Sequence, residues 1–354
     1  MRVSAIGILC LIAAMVLVFL SNAESQSRAY FLPRPDMQKY AVIFGGAAVD
    51  ETYHAKFRQW TLKLQEILVR DYRYPPDHVT LLLDRGDSET PPIAEPCRLE
   101  TILATMERLQ KKVQAGDQIT LFFVGHGTSD DQDAKFVIPG PDITGTKFAE
   151  ILEGFSAQDL AVVNTTSSSH PFCSALSAPG RVIVCATRSA AERYDTIFPL
   201  FLLAALENHA ADRDKNGRVS LFEIFLFVKQ KVNSWYTEQD RLASEHPTLD
   251  DNGDGRLRSD PDPTRDDGRL AQIADVDSLA TLLPEAVAEG PAFETLRKLA
   301  AQVRALERSI ILLKHQKTVM PEADYWQQLE PLLIDLARSS RRMRNLRADL
   351  QQED

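Results

Sequence analysis

Short apolar runs alternate with amphipathic segments between residues 40 and 236 of this chain of 354 residues. The runs have the length of buried strands, and the segments between them place apolar residues at spacings near 3.6, which is typical of helices. Because a strand, a helix and a second strand form a crossover connection, this alternation predicts a three-layer α/β fold with a mostly parallel sheet. The predicted strands lie in runs 40–46, 79–83, 119–127, 160–169 and 181–187, and the helices in segments 53–72, 99–113, 148–152, 200–208 and 221–236.

Two of the apolar runs end in residues whose side chains can take part in catalysis. One breaks at Gly125-His126-Gly127, and the next ends in small hydroxyl residues that include Thr166 and Ser167. The carboxyl ends of parallel strands share one edge of the sheet, where α/β proteins bind their ligands. The sequence therefore predicts a site with His126 as general base, Thr166 or Ser167 as nucleophile, and the Gly127 N–H free to bind an oxyanion.

This pair of strand ends resembles the caspase, legumain and gingipain peptidases, which carry His after one central strand and Cys after the next. The resemblance is closer to a group of exported bacterial proteins with that fold, and it extends over most of the chain from Tyr40. It implies a caspase-like fold, and it places the peptidase Cys on Thr166. The motifs that carry it are FVGHG, FVIPGPDIT, VVNTTSSS, PGRVIVCATRSAAE, DRDKNGRVSLFE, EHPTLDDNGDG and the helical tail.

A hydroxyl in place of the thiol changes the expected activity. Thr or Ser needs a well-placed base and usually a third, orienting group, and the sequence shows no obvious third member. The preferred interpretation is a catalytically impaired pseudo-peptidase that binds a peptide or protein at the strand-end cleft. The alternatives are an active hydrolase that uses Thr166 or Ser167 with His126, and a scaffold that acts through its C-terminal helices. Cys173 is expected in the loop after the cleft, as a structural residue.

A calcium-binding loop is predicted at residues 212–223, between two helices. Its spacing is that of an EF-hand, in which oxygen ligands surround a hard cation and a glycine permits the turn. The alternative is a solvated acidic turn. The predicted ligands, at positions 1, 3, 5, 7, 9 and 12, are Asp212, Asp214, Asn216, the Arg218 carbonyl, Ser220 and Glu223, with Gly217 at position 6.

A second segment repeats only the first half of this pattern. Asp250, Asn252, Asp254 and Gly255 match the early positions, but Arg258 stands at position 9 and no Glu closes the loop. Because a cation at position 9 is not an oxygen donor, the sequence predicts a polar turn here.

The N-terminal segment and the composition indicate where the protein acts. Residues 1–23 contain a single cation, an apolar run and small terminal residues, which predicts a signal peptide and export to the periplasm or the exterior. An uncleaved membrane anchor is the alternative, and a linker is predicted at 24–39. A net charge of −10 argues against a nucleic-acid partner. After Cys10 is lost, three cysteines without a CxxC pair leave room for one disulfide at most.

The C-terminal third is predicted to lie outside the α/β domain, which is assigned to residues 40–246. The stretch 247–290 is rich in Asp, Gly and Pro and is predicted to be a polar linker. Residues 291–354 carry apolar residues at alternating spacings of three and four, which predicts a helical hairpin. Pro331 implies that the second helix begins near Glu330 or kinks there. An oligomerising or partner-binding coiled coil is the alternative.

Overall fold

The computed structural model describes residues 29–130, 133–282 and 290–352. The predicted signal peptide, residues 1–23, lies outside the described residues. Within the described ranges, no helix has both the length and the apolar character needed to cross a bilayer.

Within the described residues, ten strands form two sheets. They are β1 (Lys39–Gly45), β2 (Val79–Leu83), β3 (Glu95–Pro96), β4 (Gln118–Val124), β5 (Gly127–Ser129), β6 (Ala134–Phe136), β7 (Ile143–Thr144), β8 (Asp159–Asn164), β9 (Arg181–Cys185) and β10 (Thr248–Asp250). The central sheet has the order β10-β9-β8-β4-β1-β2-β3, and β5, β6 and β7 form a small second sheet. In the central sheet only β10 is antiparallel to its neighbour, so the predicted mostly parallel sheet is confirmed.

In the part of the chain that the structure describes, eight α-helices surround the central sheet or follow it. They are α1 (Glu51–Arg70), α2 (Leu99–Lys112), α3 (Gly145–Glu153), α4 (Ser169–Leu176), α5 (Phe198–Leu206), α6 (Leu221–Glu238), α7 (Pro291–His315) and α8 (Glu322–Gln352). Successive residues of a strand point to opposite faces of the sheet, and two separate cores result. Helices α1, α5 and α6 pack against the face that presents Ala41 and Ile43. Helices α2, α3 and α4 pack against the face that presents Val42 and Phe44, which confirms the three layers.

The stretch 247–290 differs from the predicted polar linker. It contains β10, whose fully buried Leu249 pairs with Val184 of β9. The buried carboxylate of Asp251 accepts hydrogen bonds from the backbone N–H groups of Gly268 and Ala271. The linker prediction was therefore wrong, because composition records that a segment is polar but not that its carboxylates bind backbone donors inside the protein.

The C-terminal residues form the predicted helical hairpin, and its apolar seam is buried between α7 and α8. Leu296, Leu299 and Val303 of α7 pack near Met343 of α8. Helix α8 continues through Pro331, so the predicted start near Glu330 was wrong. The apolar seam therefore packs within the hairpin, as the hairpin prediction expected.

Candidate active-site cleft and calcium loop

The strand order places the two predicted strand ends side by side. Strands β4 and β8 are parallel neighbours, with Phe123 opposite Asn164. The chain segments that follow them touch, because a Cβ added at Gly127 would come within 2.2 Å of the Ser167 carbonyl oxygen and 2.6 Å of the Thr166 hydroxyl oxygen. Only glycine allows this approach. The structure therefore brings Gly127, Thr166 and Ser167 together, with His126 next in the chain.

Neither candidate nucleophile donates its hydroxyl hydrogen bond to His126. The Thr166 hydroxyl donates to the Asn164 side-chain oxygen at 2.8 Å. The Ser167 hydroxyl donates to the Gly127 carbonyl at 3.0 Å. The Gly127 N–H, expected to be free for an oxyanion, points at the Ser167 hydroxyl oxygen at 3.4 Å. Both hydroxyl side chains are buried, so these contacts compensate for lost solvent.

His126 lies in an aromatic setting. The rings of Tyr53 and Phe57 approach its ring edge-on, each with a centroid distance of 4.9 Å. Burial lowers the pKa of His126 below its ordinary value, and the nearby carboxylate of Asp195 opposes this shift only in part. The imidazole is therefore neutral at pH 7. Its Nε2 is buried and has no hydrogen-bond partner among the described residues.

Asp195 is the residue that sequence reasoning missed. Its carboxylate lies 3.5 Å from Nδ1 of His126, and it also accepts a hydrogen bond from the Tyr53 hydroxyl. A carboxylate on Nδ1 favours the tautomer in which Nε2 is the acceptor. Asp195 lies far from His126 in the chain, in the loop after β9. The signal that could have found it is that β9 is the next strand after β8, so its following loop reaches the same sheet edge.

The loop after β9 is anchored on both sides of Asp195. The Glu192 carbonyl accepts the Ser168 N–H at 2.8 Å, next to the candidate nucleophiles. The buried carboxylate of Glu245 accepts the Ile197 N–H at 2.7 Å, at the start of α5. Burial raises the pKa of Glu245 to about 7. These contacts hold Asp195 beside His126.

Cys173 is not a substitute for the missing thiol. It lies in helix α4 rather than in the predicted loop, and it is fully buried. Burial raises the pKa of its thiol well above the ordinary value, so it is protonated at pH 7. Cys97, Cys173 and Cys185 are all free thiols, so the described residues contain no disulfide.

The loop 212–223 brings three of the predicted calcium ligands together. Ligand oxygens of Asp212, Asp214 and Glu223 lie within 4.8 Å of one another. Lys215 and Gly217 have positive φ angles of 60° and 79°, which turn the chain around a common centre. Three carboxylates so close repel one another unless a cation lies among them, and their oxygens suit calcium.

The remaining predicted ligands of this loop make contacts within the protein. The Asn216 side-chain oxygen accepts the Arg218 N–H at 2.8 Å. Ser220 forms a capping box with Glu223 at the start of α6. The Arg218 side chain points away from the loop to Asp275, at 2.8 Å, so only its carbonyl is a candidate ligand.

Comparisons with known proteins add little. No family model matches the sequence, and no curated protein matches it. Among solved structures, the crystal structure of protein GSU0716 from Geobacter sulfurreducens aligns with 64% of this chain and 95% of that chain. The TM-score is 0.41 and the identity is 11%, so the alignment carries no functional argument.

Proposed function

We propose that this protein is an exported, non-catalytic relative of the caspase- and legumain-type peptidases that binds a peptide or protein at the strand-end cleft. The proposal rests on the acceptors to which the two candidate hydroxyl groups donate their hydrogen bonds. Thr166 donates to Asn164 and Ser167 donates to the Gly127 carbonyl, while Nε2 of His126 has no partner among the described residues. An active hydroxyl nucleophile requires a hydrogen bond to its base.

The assignment to the peptidase fold rests on topology together with sequence motifs. The resemblance expects His after one central strand and the nucleophile position after the next. His126 follows β4, Thr166 follows β8, and these strands are neighbours in a mostly parallel sheet. Export rests on residues 1–23, which lie outside the described residues.

Ligand binding is supported by an unsatisfied acceptor and an exposed apolar rim. The buried Nε2 of His126 is an acceptor without a partner among the described residues, and a ligand N–H would satisfy it. Val49 and Tyr194 are each 73% exposed. Val49 precedes the N-cap of α1, the helix that contributes Tyr53 and Phe57, and Tyr194 adjoins Asp195. An extended peptide has both the backbone donors and the side chains that such a cleft requires.

We also propose that calcium binds at residues 212–223. The support is the convergence of Asp212, Asp214 and Glu223 within 4.8 Å, in a loop with complete EF-hand spacing. Asn216, the Arg218 carbonyl and Ser220 would complete the oxygen cage. Bound calcium would supply positive charge that stabilises the turn before α6.

Selection from a random peptide library tests the proposed binding. We expect peptides that bind without being cleaved, and a loss of affinity of about tenfold, or about 1.4 kcal/mol, in Val49→Ala or Tyr194→Ala. Val319→Ala is the matched control, because Val319 is 82% exposed in the turn between α7 and α8. Fluorescence anisotropy measures the affinities, and mass spectrometry of the peptides measures cleavage. An equal effect of the control and rim substitutions would contradict binding at the cleft.

An active hydrolase is the second candidate, and Asp195 is the observation that favours it. With Asp195 on Nδ1, His126 has the orienting group that a Ser or Thr nucleophile needs. Ser167 or Thr166 would have to exchange its present acceptor for Nε2 of His126. The same library decides this alternative: cleavage that disappears in both His126→Ala and Thr166→Ala, or in His126→Ala and Ser167→Ala, would overturn the non-catalytic proposal.

A further inference from the structure

The segment predicted to be a polar turn, residues 250–258, shares two left-handed backbone positions with the proposed calcium loop. We call this segment the second loop. In the first loop, positions 4 and 6 are Lys215 and Gly217, with φ angles of 60° and 79°. In the second loop, the same positions are Gly253 and Gly255, with φ angles of 79° and 74°. Matches at both of these positions, in a region of backbone conformation that is rarely used, show that the turns are alike.

The internal hydrogen bonds of the two loops also match. The position 1 carboxylates of Asp212 and Asp250 accept the position 6 N–H at 3.0 and 3.1 Å. The position 3 side-chain oxygen accepts the position 5 N–H at 3.1 Å in the first loop and 2.8 Å in the second. The position 5 side-chain oxygens, of Asn216 and Asp254, accept the position 7 N–H at 2.8 Å in both.

The Arg258 guanidinium contacts two oxygen groups of the second loop at positions that bind calcium in an EF-hand. Arg258 donates to the position 5 carboxylate of Asp254 at 3.0 Å and to the position 7 carbonyl of Arg256 at 3.0 Å. It also pairs with Asp266 at 3.5 Å and with Asp267. Asp267 is fully buried, and its other oxygen accepts the Asp251 N–H at 3.0 Å. Arg258 therefore contacts two of the groups that would ligate calcium, and two carboxylates from outside the loop.

We propose that the second loop is a calcium-type loop whose cation is the protein's own Arg258 guanidinium, and that it takes a divalent cation only when that guanidinium is removed. The fully buried carboxylate of Asp267 requires a nearby positive charge. The fixed fork of Arg supplies several donors at once, as a metal ion supplies several coordination positions. Arg258 also pairs with Leu249 of β10 through both backbone hydrogen bonds, at 2.8 and 2.9 Å. This pair of hydrogen bonds attaches the second loop to β10, a strand of the central sheet.

The test replaces Arg258 in a protein whose first loop is weakened. Arg258→Ser is the natural choice, because position 9 of the first loop is Ser220. Both this variant and the control, Arg256→Ser, are made in the Glu223→Gln background, so the outcome does not depend on calcium binding at residues 212–223. The control makes the same change of charge at an exposed side chain two positions away. Thermal unfolding is followed with and without calcium, and calorimetry measures binding.

We expect calcium to raise the melting temperature of the Arg258→Ser protein by roughly 5 °C more than that of the Arg256→Ser protein, at a concentration about 100 times Kd. An equal calcium response in the two proteins would overturn the proposal. If Arg258→Ser does not fold in a chelator, refolding in millimolar calcium decides: recovery with calcium alone supports the proposal, and failure with calcium overturns it.

Discussion

At the scale of single residues, we propose that the site differs from a cysteine peptidase site at position 166, where a threonine hydroxyl stands in place of a thiol. A thiol ionises near neutral pH when a His is beside it, whereas the Thr166 hydroxyl keeps its proton and shares it with Asn164. His126, Asp195 and Gly127 retain an arrangement that would serve a nucleophile. In our proposal, the site binds a ligand without cleaving it, and its chemical deficit lies at position 166.

Thr166→Cys restores the missing thiol with a modest change of volume. We expect the variant to react with a thiol-directed peptide electrophile, and the added change His126→Ala to slow labelling by about 10²-fold, which is the lower range for a lost general base. Mass spectrometry measures labelling over time. The wild type is the control, since Cys97, Cys173 and Cys185 are buried. Labelling of Thr166→Cys no faster than that control would show that His126 is not placed to act on position 166.

At the scale of elements, the loop before α6 joins a helix start to the proposed calcium site. The Glu223 carboxylate accepts the Ser220 N–H at 2.9 Å in the capping box, and it accepts the Arg213 N–H at 2.9 Å across the loop. One side chain therefore closes the loop and begins the helix. This double role makes Glu223 the residue through which calcium would stabilise α6.

Glu223→Gln tests that connection by removing one charge. We expect calcium at about 100 times Kd to stabilise the wild type by about 2.7 kcal/mol, and we expect the variant to lose most of this gain. Thermal unfolding with calcium and with a chelator measures both. Glu238→Gln, an exposed change near the end of the same helix, should leave the calcium response unchanged. A wild type that binds no calcium by calorimetry at millimolar concentration would contradict the proposal.

At the scale of the whole molecule, buried charged groups connect parts that are distant in the sequence. Arg218 of the proposed calcium loop pairs with Glu307 of α7 at 2.6 Å. Arg304 of the same helix donates to the Asp277 and Ser278 carbonyls at 3.2 and 3.0 Å. Through these contacts the hairpin is attached to the α/β domain. Buried ionisable groups of this kind make the stability of the whole fold depend on pH.

Glu245 is the clearest source of such a dependence. The ordinary pKa of a glutamate is 4.5, and burial raises that of folded Glu245 to about 7. Between these values the folded state holds a proton that the unfolded state has released. The contribution of Glu245 to stability is therefore fully present below pH 4.5 and falls as the pH rises to about 7.

Glu245→Gln keeps an acceptor for the Ile197 N–H but cannot ionise. We expect the variant to gain stability relative to the wild type as the pH rises through this window. Urea unfolding at several pH values, with m unchanged, measures the difference. Glu330→Gln, at an exposed position in α8, is the control. A constant difference between Glu245→Gln and the wild type across the window would show that Glu245 does not couple folding to protonation.

Local patterns in the sequence were sufficient for five strands of the central sheet, the hairpin and the spacing of the proposed calcium loop. Strand identity follows from short apolar runs, and helix identity follows from a repeat near 3.6, so both can be read within a few neighbouring residues. The same is true of the seam in α7 and α8. The placement of the segments after β4 and β8 at one edge of the sheet also followed, because parallel strands bring their carboxyl ends to one edge.

Contacts between residues far apart in the chain were decided only by the tertiary structure. Asp195 reaches His126 from the loop of another strand, β10 joins the sheet from a stretch whose composition is polar, and Arg258 receives carboxylates from outside its loop. The acceptors to which the Thr166 and Ser167 hydroxyls donate were likewise decided only by the tertiary structure. Each depends on which donor and acceptor the folded chain brings within hydrogen-bond distance. The residue types along a segment do not specify that distance. The sequence by itself therefore determined which segments form strands and helices, and the tertiary structure decided which side chains meet at the edge of the sheet.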